Sequence, residues 1–406
     1  MTTSRDTTAK PGFSLPKAAP EGLLSAILLS FLSTAGLFYV NLGGAFLSAF
    51  VDGVGLSLET AGYITAANKY GAAFGALMAV FSAGRLPWRK IAYTVLVTII
   101  AIDFISMTIS NGDALIAIRF LQGSFGGFLV GTGFSVIART KTPDRVFGML
   151  LIVQYSFGSI GIMFIPGLVQ TLGHSAVFWA LIIFSSLTLL MVPFLDDYKV
   201  TPDNGATASP GRFGGIALAP LIPVLLAIFF FQAANMVVAD YVFELGKDKG
   251  LTTDLMSTLV GVANWTAIGG AVLVYVFGVR FGRALPLTIG LLISIAGTLA
   301  FHWSGSATVY FMANAITGIM WAFLIPYLLG LCTAFDKKGR TASLAGFVSK
   351  MGLASGPMIA ATLVGEGNFT LIINVAAFGL LFCALAAFSP ARKRDHLTHL
   401  STKEKE

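Results

Sequence analysis

Long apolar runs, each about the length of a membrane crossing, alternate with short polar segments along the whole chain. A helix needs about 20 mostly apolar residues to cross a hydrocarbon core of about 30 Å. Runs of that kind fall near 22–48, 58–83, 90–110, 114–138, 146–171, 175–195, 216–243, 254–279, 284–302, 307–334, 341–365 and 369–389. The pattern predicts an all-α membrane protein with twelve transmembrane helices. Gly and Pro recur inside the runs. Membranes allow this, because small residues let helices approach and neighbours re-satisfy freed backbone groups. The longest polar interruption, 196–215, is rich in Asp, Gly, Pro and Ser and reads as a linker. The expected organisation is a tail 1–21, a six-helix bundle 22–195, the linker 196–215, a second six-helix bundle 216–389 and a tail 390–406.

Composition agrees with a lipid-facing surface. Hydrophobic residues make up 56% of the 406 residues and charged residues only 11%. Mean hydropathy is +0.82. A soluble domain carries roughly a quarter of its residues charged. Cys332 and Cys383 both lie in apolar runs, so no disulfide framework is expected. Of the four histidines only His396 and His399 are close together, in a charged tail, so no metal and no cofactor is expected. The first apolar run is too long for a signal-peptide core and reads as a retained first helix.

The net charge of +7 would suit nucleic acid if it were clustered on one surface. Its distribution points to topology instead. Of 26 Lys and Arg residues, 21 fall in the two tails and one alternate set of loops, two (Lys247 and Lys249) fall in the opposite set, and three lie within helices. The excess predicts that both termini are cytoplasmic and that the number of spans is even.

The two sets of six also match each other at a constant shift of 195 residues. Gly55-Leu56 corresponds to Gly250-Leu251, Gly75-Ala76 to Gly270-Ala271, Arg85 to Arg280, Gly123 to Gly318, Arg145 to Arg340 and Gly161 to Gly356. Both copies start on the same side of the membrane, so the repeat is parallel. Local motifs then add to the pattern. The loop after the second run reads Gly84-Arg85-Leu86-Pro87-Trp88-Arg89-Lys90, and its counterpart reads Gly278-Val279-Arg280-Phe281-Gly282-Arg283. The fourth run carries Arg119-Phe120-Leu121-Gln122-Gly123-Ser124-Phe125-Gly126-Gly127. With its parallel repeat, the chain resembles the major facilitator transporters. Their loop pattern G-x-x-x-D-R-x-G-R-[RK] is matched in part, without the Asp, and their R-x-x-Q-G-x-x-x-G pattern is matched at Arg119. The resemblance implies two pseudo-symmetric bundles and ties Arg119 to proton coupling. The antiporter pattern of the fifth helix is not clear here. A similar string, Gly352 to Pro357, lies in the eleventh run, and the D-G-x-D string of aromatic-acid symporters is absent from the first.

Charges inside the membrane are costly and usually face a partner or a wet cavity. Lys69, Lys350, Arg119 and Asp103 lie well within their runs. One reading takes Lys69, Lys350 and Arg119 as a cationic lining for an anionic substrate, a carboxylate being the simplest choice. The other reading makes Arg119 and Asp103 a structural ion pair and leaves the two lysines to backbone carbonyls. Asp240 and Glu244, four residues apart, are expected on one helix face, either as a gate or proton-binding pair or as solvated residues at a helix end. Asn68, Tyr39, Asn41, Tyr155, Gln154, Asn235, Asn264, Trp265, Asn314 and Trp321 complete the expected substrate-binding set. The shift of 195 pairs Arg119 with Asn314 and Tyr155 with Lys350 across a central cavity.

These features predict a monomeric secondary transporter of a small organic anion in a bacterial inner membrane. Proton symport is expected, with Asp103, Arg119, Asp240 and Glu244 in the coupling. Efflux of drugs or other amphiphiles by proton antiport is the alternative. A membrane enzyme is not expected: the chain has no phosphate-binding G-x-x-x-x-G-K-[ST] string, no HExxH and no GxSxG. A transporter-like sensor would carry a large extra cytoplasmic domain, and the tail of about 17 residues after the last run is far short of the ~50 that the smallest domains need.

Overall fold

The computed structural model describes residues 16–82, 87–198, 218–278, 280–333, 340–365 and 367–403. Most of the expected linker 196–215, most of the tail 1–21, and the basic loop positions Arg5, Lys10, Arg85, Lys199, Arg212, Lys337, Lys338 and Lys405 lie outside the described residues.

The helices follow one another as twelve successive segments. The first is broken into α1 (Leu23–Ala35), α2 (Phe38–Asn41) and α3 (Gly43–Val54). Then come α4 (Leu58–Ser82), α5 (Trp88–Ser106), α6 (Gly112–Ile137), α7 (Pro143–Leu172) and α8 (Ser175–Met191). The seventh segment is α9 (Leu218–Ala239) with α10 (Val242–Asp248), and the eighth is α11 (Thr253–Thr266) with α12 (Ile268–Phe277). The last four are α13 (Ala284–Ala300), α14 (Ala307–Thr333), α15 (Arg340–Val364) and α16 (Phe369–Lys403). Among the described residues, nine helical stretches are each long and apolar enough to span a membrane. The remaining segments are the interrupted first one and α4 and α5, whose charged and polar residues lower their hydropathy.

Most of these helices are apolar all round, which suits burial in lipid and in a bundle rather than at a water interface. Their ends carry local stop signals. Asn111 accepts from the Ala114 N–H at the start of α6 (3.0 Å), and Asn368 accepts from Leu371 before α16 (3.1 Å). Gly55 ends α3 at φ 78°, a left-handed conformation that glycine adopts without steric cost. The expected end of the last helix near 389 differs from the observed one: α16 continues through Pro390 to Lys403.

Close packing of α4 on α6 holds the first half together. Gly71 and Gly75 on α4 interlock with Gly123 and Gly127 on α6, and a methyl on any of the four would strike the facing backbone. This is the small-residue packing that replaces the hydrophobic effect between helices in lipid.

The buried apolar side chains form two clusters. One belongs wholly to the second half and includes Leu221, Phe231, Leu291, Leu324 and Cys383. The other contains the core of the first half together with Val237, Tyr241, Phe243, Met256, Tyr310, Val364 and Ile372 of the second. All seven of these lie at the membrane end opposite the chain termini, so the halves share a core at that end. Polar contacts cross there too. The Tyr241 hydroxyl donates to the Leu58 carbonyl (3.0 Å) and Lys247 pairs with Asp52 (2.5 Å), while deeper in the bundle the Tyr70 and Ser355 hydroxyls are 2.8 Å apart.

At the end that holds the termini, the described ties stay within each half. Asp197 pairs with Arg89 (2.9 Å) and Lys17 (3.1 Å) in the first half. In the second, Asp395 on the extension of α16 accepts from the Arg283 and Ala284 amides (2.9 and 2.8 Å) at the start of α13.

Candidate functional site

Lys69, Asp103, Arg119, Asp240, Glu244 and Lys350 are ionisable side chains enclosed by the described helices. Lys69 is eleven residues into α4 and Lys350 ten into α15. At about 1.5 Å per residue, each is ~15 Å from its helix start.

Arg119 and Asp103 form a closed unit inside the first half. Both side chains are 0% exposed and their nearest atoms are 2.5 Å apart. The guanidinium lies over the rings of Tyr39 (4.8 Å), Phe178 (5.4 Å) and Phe46 (5.7 Å). A desolvated cation over an aromatic face gains from the ring quadrupole. Asn68 donates to the Arg119 carbonyl (3.1 Å) and to Gln122 Oε1 (2.6 Å), which fastens α4 to α6. For Arg119 this arrangement is the ion pair of the second reading, and it differs from the expectation that Arg119, Asn68 and Tyr39 line the cavity. In this conformation all three are buried in helix packing.

Lys69 differs from Arg119 in that its partner comes from the other half. Its ammonium forms a buried ion pair with Asp240 at the break between α9 and α10, and it reaches the Met236 sulfur at 3.5 Å. Gly43 of the first segment closes over the pair, and a methyl there would strike the Asp240 carboxylate. Expected as a free substrate-binding cation, Lys69 is instead neutralised.

The same break corrects the expected Asp240–Glu244 pair. Helix α9 stops at Ala239 and α10 starts at Val242, so the two carboxylates are not one turn apart on one helix. Asp240 meets Lys69, whereas Glu244 meets Lys247 (2.7 Å), which also binds Asp52 and the Ser48 hydroxyl (2.9 Å). Ser48, Asp52, Lys247 and Ser355 were missed by sequence reasoning because each lies near a helix end or is small. Their role arises only where the two halves meet.

Lys350 is the remaining cation. It is deeply enclosed yet keeps part of its side chain open, and among the described residues it has no hydrogen bond or ion pair. Beside it Ser349 accepts from Gln232 (2.8 Å), and Gln232 accepts from the Trp321 indole (2.8 Å), a chain that fixes α15, α9 and α14 to one another.

The other expected positions are scattered in role. Asn41 donates to the Gln154 carbonyl (3.3 Å), which ties the broken first segment to α7. Gln154 and Tyr155 are partly exposed. Asn235 and Asn314 return their amides to the carbonyls of Phe231 (2.7 Å) and Tyr310 (2.8 Å), one turn back. Asn264 is partly exposed, while its neighbour Trp265 is 47% exposed on the outside of α11 and does not join the cluster.

A helical bundle of this topology, with enclosed charges paired both within and between its halves, suits a polytopic membrane protein. Residues 23–361 match the family model of the Major Facilitator Superfamily, so the chain belongs to that superfamily of membrane transporters and is not an enzyme. A search of curated proteins finds no match. Among solved structures, a mutant of the nucleoside transporter NupG is similar with a TM-score of 0.74 and 13% identity, covering 90% of this chain and 99% of that one. The human organic anion transporter MFSD10 gives 0.63 and 16%, covering 91% and 100%. A peptide transporter, POT, gives 0.69 and 15%, covering 93% and 97%. At these identities the likeness is one of fold.

Proposed function

We propose that the chain is a secondary active carrier of small organic anions, carboxylates in the simplest case, driven by proton symport. Its membrane is a bacterial inner membrane, with both termini in the cytoplasm. The observation that carries this reading is Lys350, ten residues into α15 and with no carboxylate partner among the described residues, beside a polar chain of Ser349, Gln232 and Trp321. A buried charge is tolerated when something pairs with it. The substrate anion supplies the pair. The Trp321 ring offers part of an apolar wall, as small-molecule sites commonly do.

In this reading Asp240 is the proton acceptor. With Asp240 ionised, its pair with Lys69 holds the halves together at the end away from the termini. A proton arriving on Asp240 removes one charge, the ion pair is lost, and the halves can separate there. The anion then reaches Lys350. Reorientation carries anion and proton across together, and loss of the proton to the cytoplasm rebuilds the Lys69–Asp240 latch. The two halves rock about the central site, which is alternating access.

Uptake of labelled organic acids into proteoliposomes, with and without an inward proton gradient, tests the proposal. Lys350→Ala is run alongside. Gradient-driven uptake that is lost in Lys350→Ala is expected. Normal transport by Lys350→Ala would defeat the anion site, and uptake indifferent to the gradient would remove the proton coupling. Extrusion of cationic or neutral amphiphiles instead would favour efflux by antiport.

A further inference from the structure

We infer that α16 and the loop before α13 together hold the headgroup of an anionic phospholipid, at the membrane face that carries the chain termini. The inference is independent of what is transported. Helix α16 begins at Phe369. At about 1.5 Å per residue, the stretch from Phe369 to Phe388 covers the ~30 Å of hydrocarbon. Leu381, Phe382, Leu385 and Phe388 are exposed along one stripe of that span. Ser389, Arg392, Lys393 and His396 continue the stripe at helical spacing, are exposed, and line one open groove with Phe388. The face that meets acyl chains therefore turns basic ~6 Å beyond Phe388, within the headgroup layer.

The fold brings two more cations to this turn. Asp395 accepts from the Arg283 and Ala284 amides, which fastens the end of the Arg280–Arg283 segment against the part of α16 that holds Arg392 and Lys393. Arg394 and Asp395 lie off the stripe and are half-buried. Asp395 is the one carboxylate described in either segment, and it faces the α13 amides. Among the described residues, the side chains of Arg280, Arg283, Arg392 and Lys393 have no hydrogen bond or ion pair.

The first half differs at the same membrane face, because there the chain provides partners for its own cations. Asp197 pairs with Arg89 (2.9 Å) and Lys17 (3.1 Å), and the Tyr198 carbonyl accepts from Arg139 (3.1 Å). The α13–α16 corner has no such partner, and the bilayer can provide one. Arginine presents a planar fork that matches phosphate oxygens, and lysine a point charge. The acyl chains of the same lipid lie along Leu385 and Phe388, a contact that a free phosphate could not make.

The test titrates the purified full chain in detergent with phosphatidylglycerol or phosphatidylcholine of matched acyl chains and counts bound lipid by native mass spectrometry. Each surface cation is worth a factor of about five toward an anionic headgroup. Wild type is therefore expected to bind phosphatidylglycerol at least tenfold more tightly than phosphatidylcholine. Arg392→Gln/Lys393→Gln should lose at least tenfold of that affinity and leave phosphatidylcholine binding unchanged. Lys90→Gln/Arg145→Gln removes the same charge from exposed positions at the starts of α5 and α7, on the same membrane face, and should change it less than twofold. Equal losses in the two double variants would overturn the site and leave only the diffuse attraction of a basic face. Equal binding of the two lipids by wild type would overturn it as well. Displacement of the bound lipid by millimolar inorganic phosphate would mark a free-phosphate site and overturn the lipid assignment. All of these outcomes read lipid binding alone, so none bears on Lys350 or on proton coupling.

Discussion

Lys69 and Asp240, 171 positions apart in the chain, form a buried ion pair that joins one half of the transporter to the other. Removing one partner leaves an uncompensated buried charge, whereas removing both leaves none. Asp240→Asn or Lys69→Ala is therefore expected to destabilise the protein by about 3–5 kcal/mol, with most of the loss recovered in Lys69→Met/Asp240→Leu. Thermal unfolding of the four proteins in one detergent checks this. Additive losses in the double variant would show that the pair is not the unit that matters.

The Arg119–Asp103 pair makes a different prediction. Arg119 gives one guanidinium nitrogen to Asp103 and its flat face to Tyr39, Phe46 and Phe178. Lysine keeps the charge but has no flat face to lay on the rings, so Arg119→Lys should destabilise nearly as much as Arg119→Met. Melting curves of both variants measure it, and a stable, active Arg119→Lys would count against a structural role.

Gly75 faces the Ser124 carbonyl and Gly71 the Phe120 carbonyl across the α4–α6 contact. Even Gly75→Ala forces the helices apart, at a cost of about 1–3 kcal/mol. Gly148, with open space around its Cβ position, is the control. Monodispersity on size exclusion and the melting temperature should fall for Gly75→Ala and hold for Gly148→Ala.

Asp395 serves the start of α13 from a distant part of the chain. Replacing it with Ala removes the acceptor for the Arg283 and Ala284 amides, a loss comparable to that of a helix cap, about 0.5–2 kcal/mol. Hydrogen exchange at those two amides should quicken in Asp395→Ala while the α4–α6 contact stays protected.

The shared core at the end away from the termini predicts one-sided access. Cys332 and Cys383 are both fully buried, so the native chain should resist a membrane-impermeant thiol reagent. Lys350→Cys should react when the reagent is on the side of the termini, and Val364→Cys, in the shared core, should be protected from the opposite side. Labelling rates in oriented vesicles distinguish the two.

Much of the architecture was legible in the chain because the bilayer constrains it strongly. A lipid interior demands long apolar helices with internally satisfied backbones, so the number and order of segments could be read from run lengths, as the match of α4 to α16 with the expected runs illustrates. The placement of Lys69, Arg119 and Lys350 well inside their helices was legible for the same reason. What the linear order could not contain was partnership. Whether Lys69 is free or held depends on Asp240, brought to it only by docking of the halves and by the break after Ala239. Whether Arg119 lines a cavity or fills a core depends on Asp103 and three rings from separate helices. Hydropathy is a sum over a local window and survives any rearrangement of distant segments, whereas an ion pair acts over a few ångströms between groups that only the tertiary structure brings together.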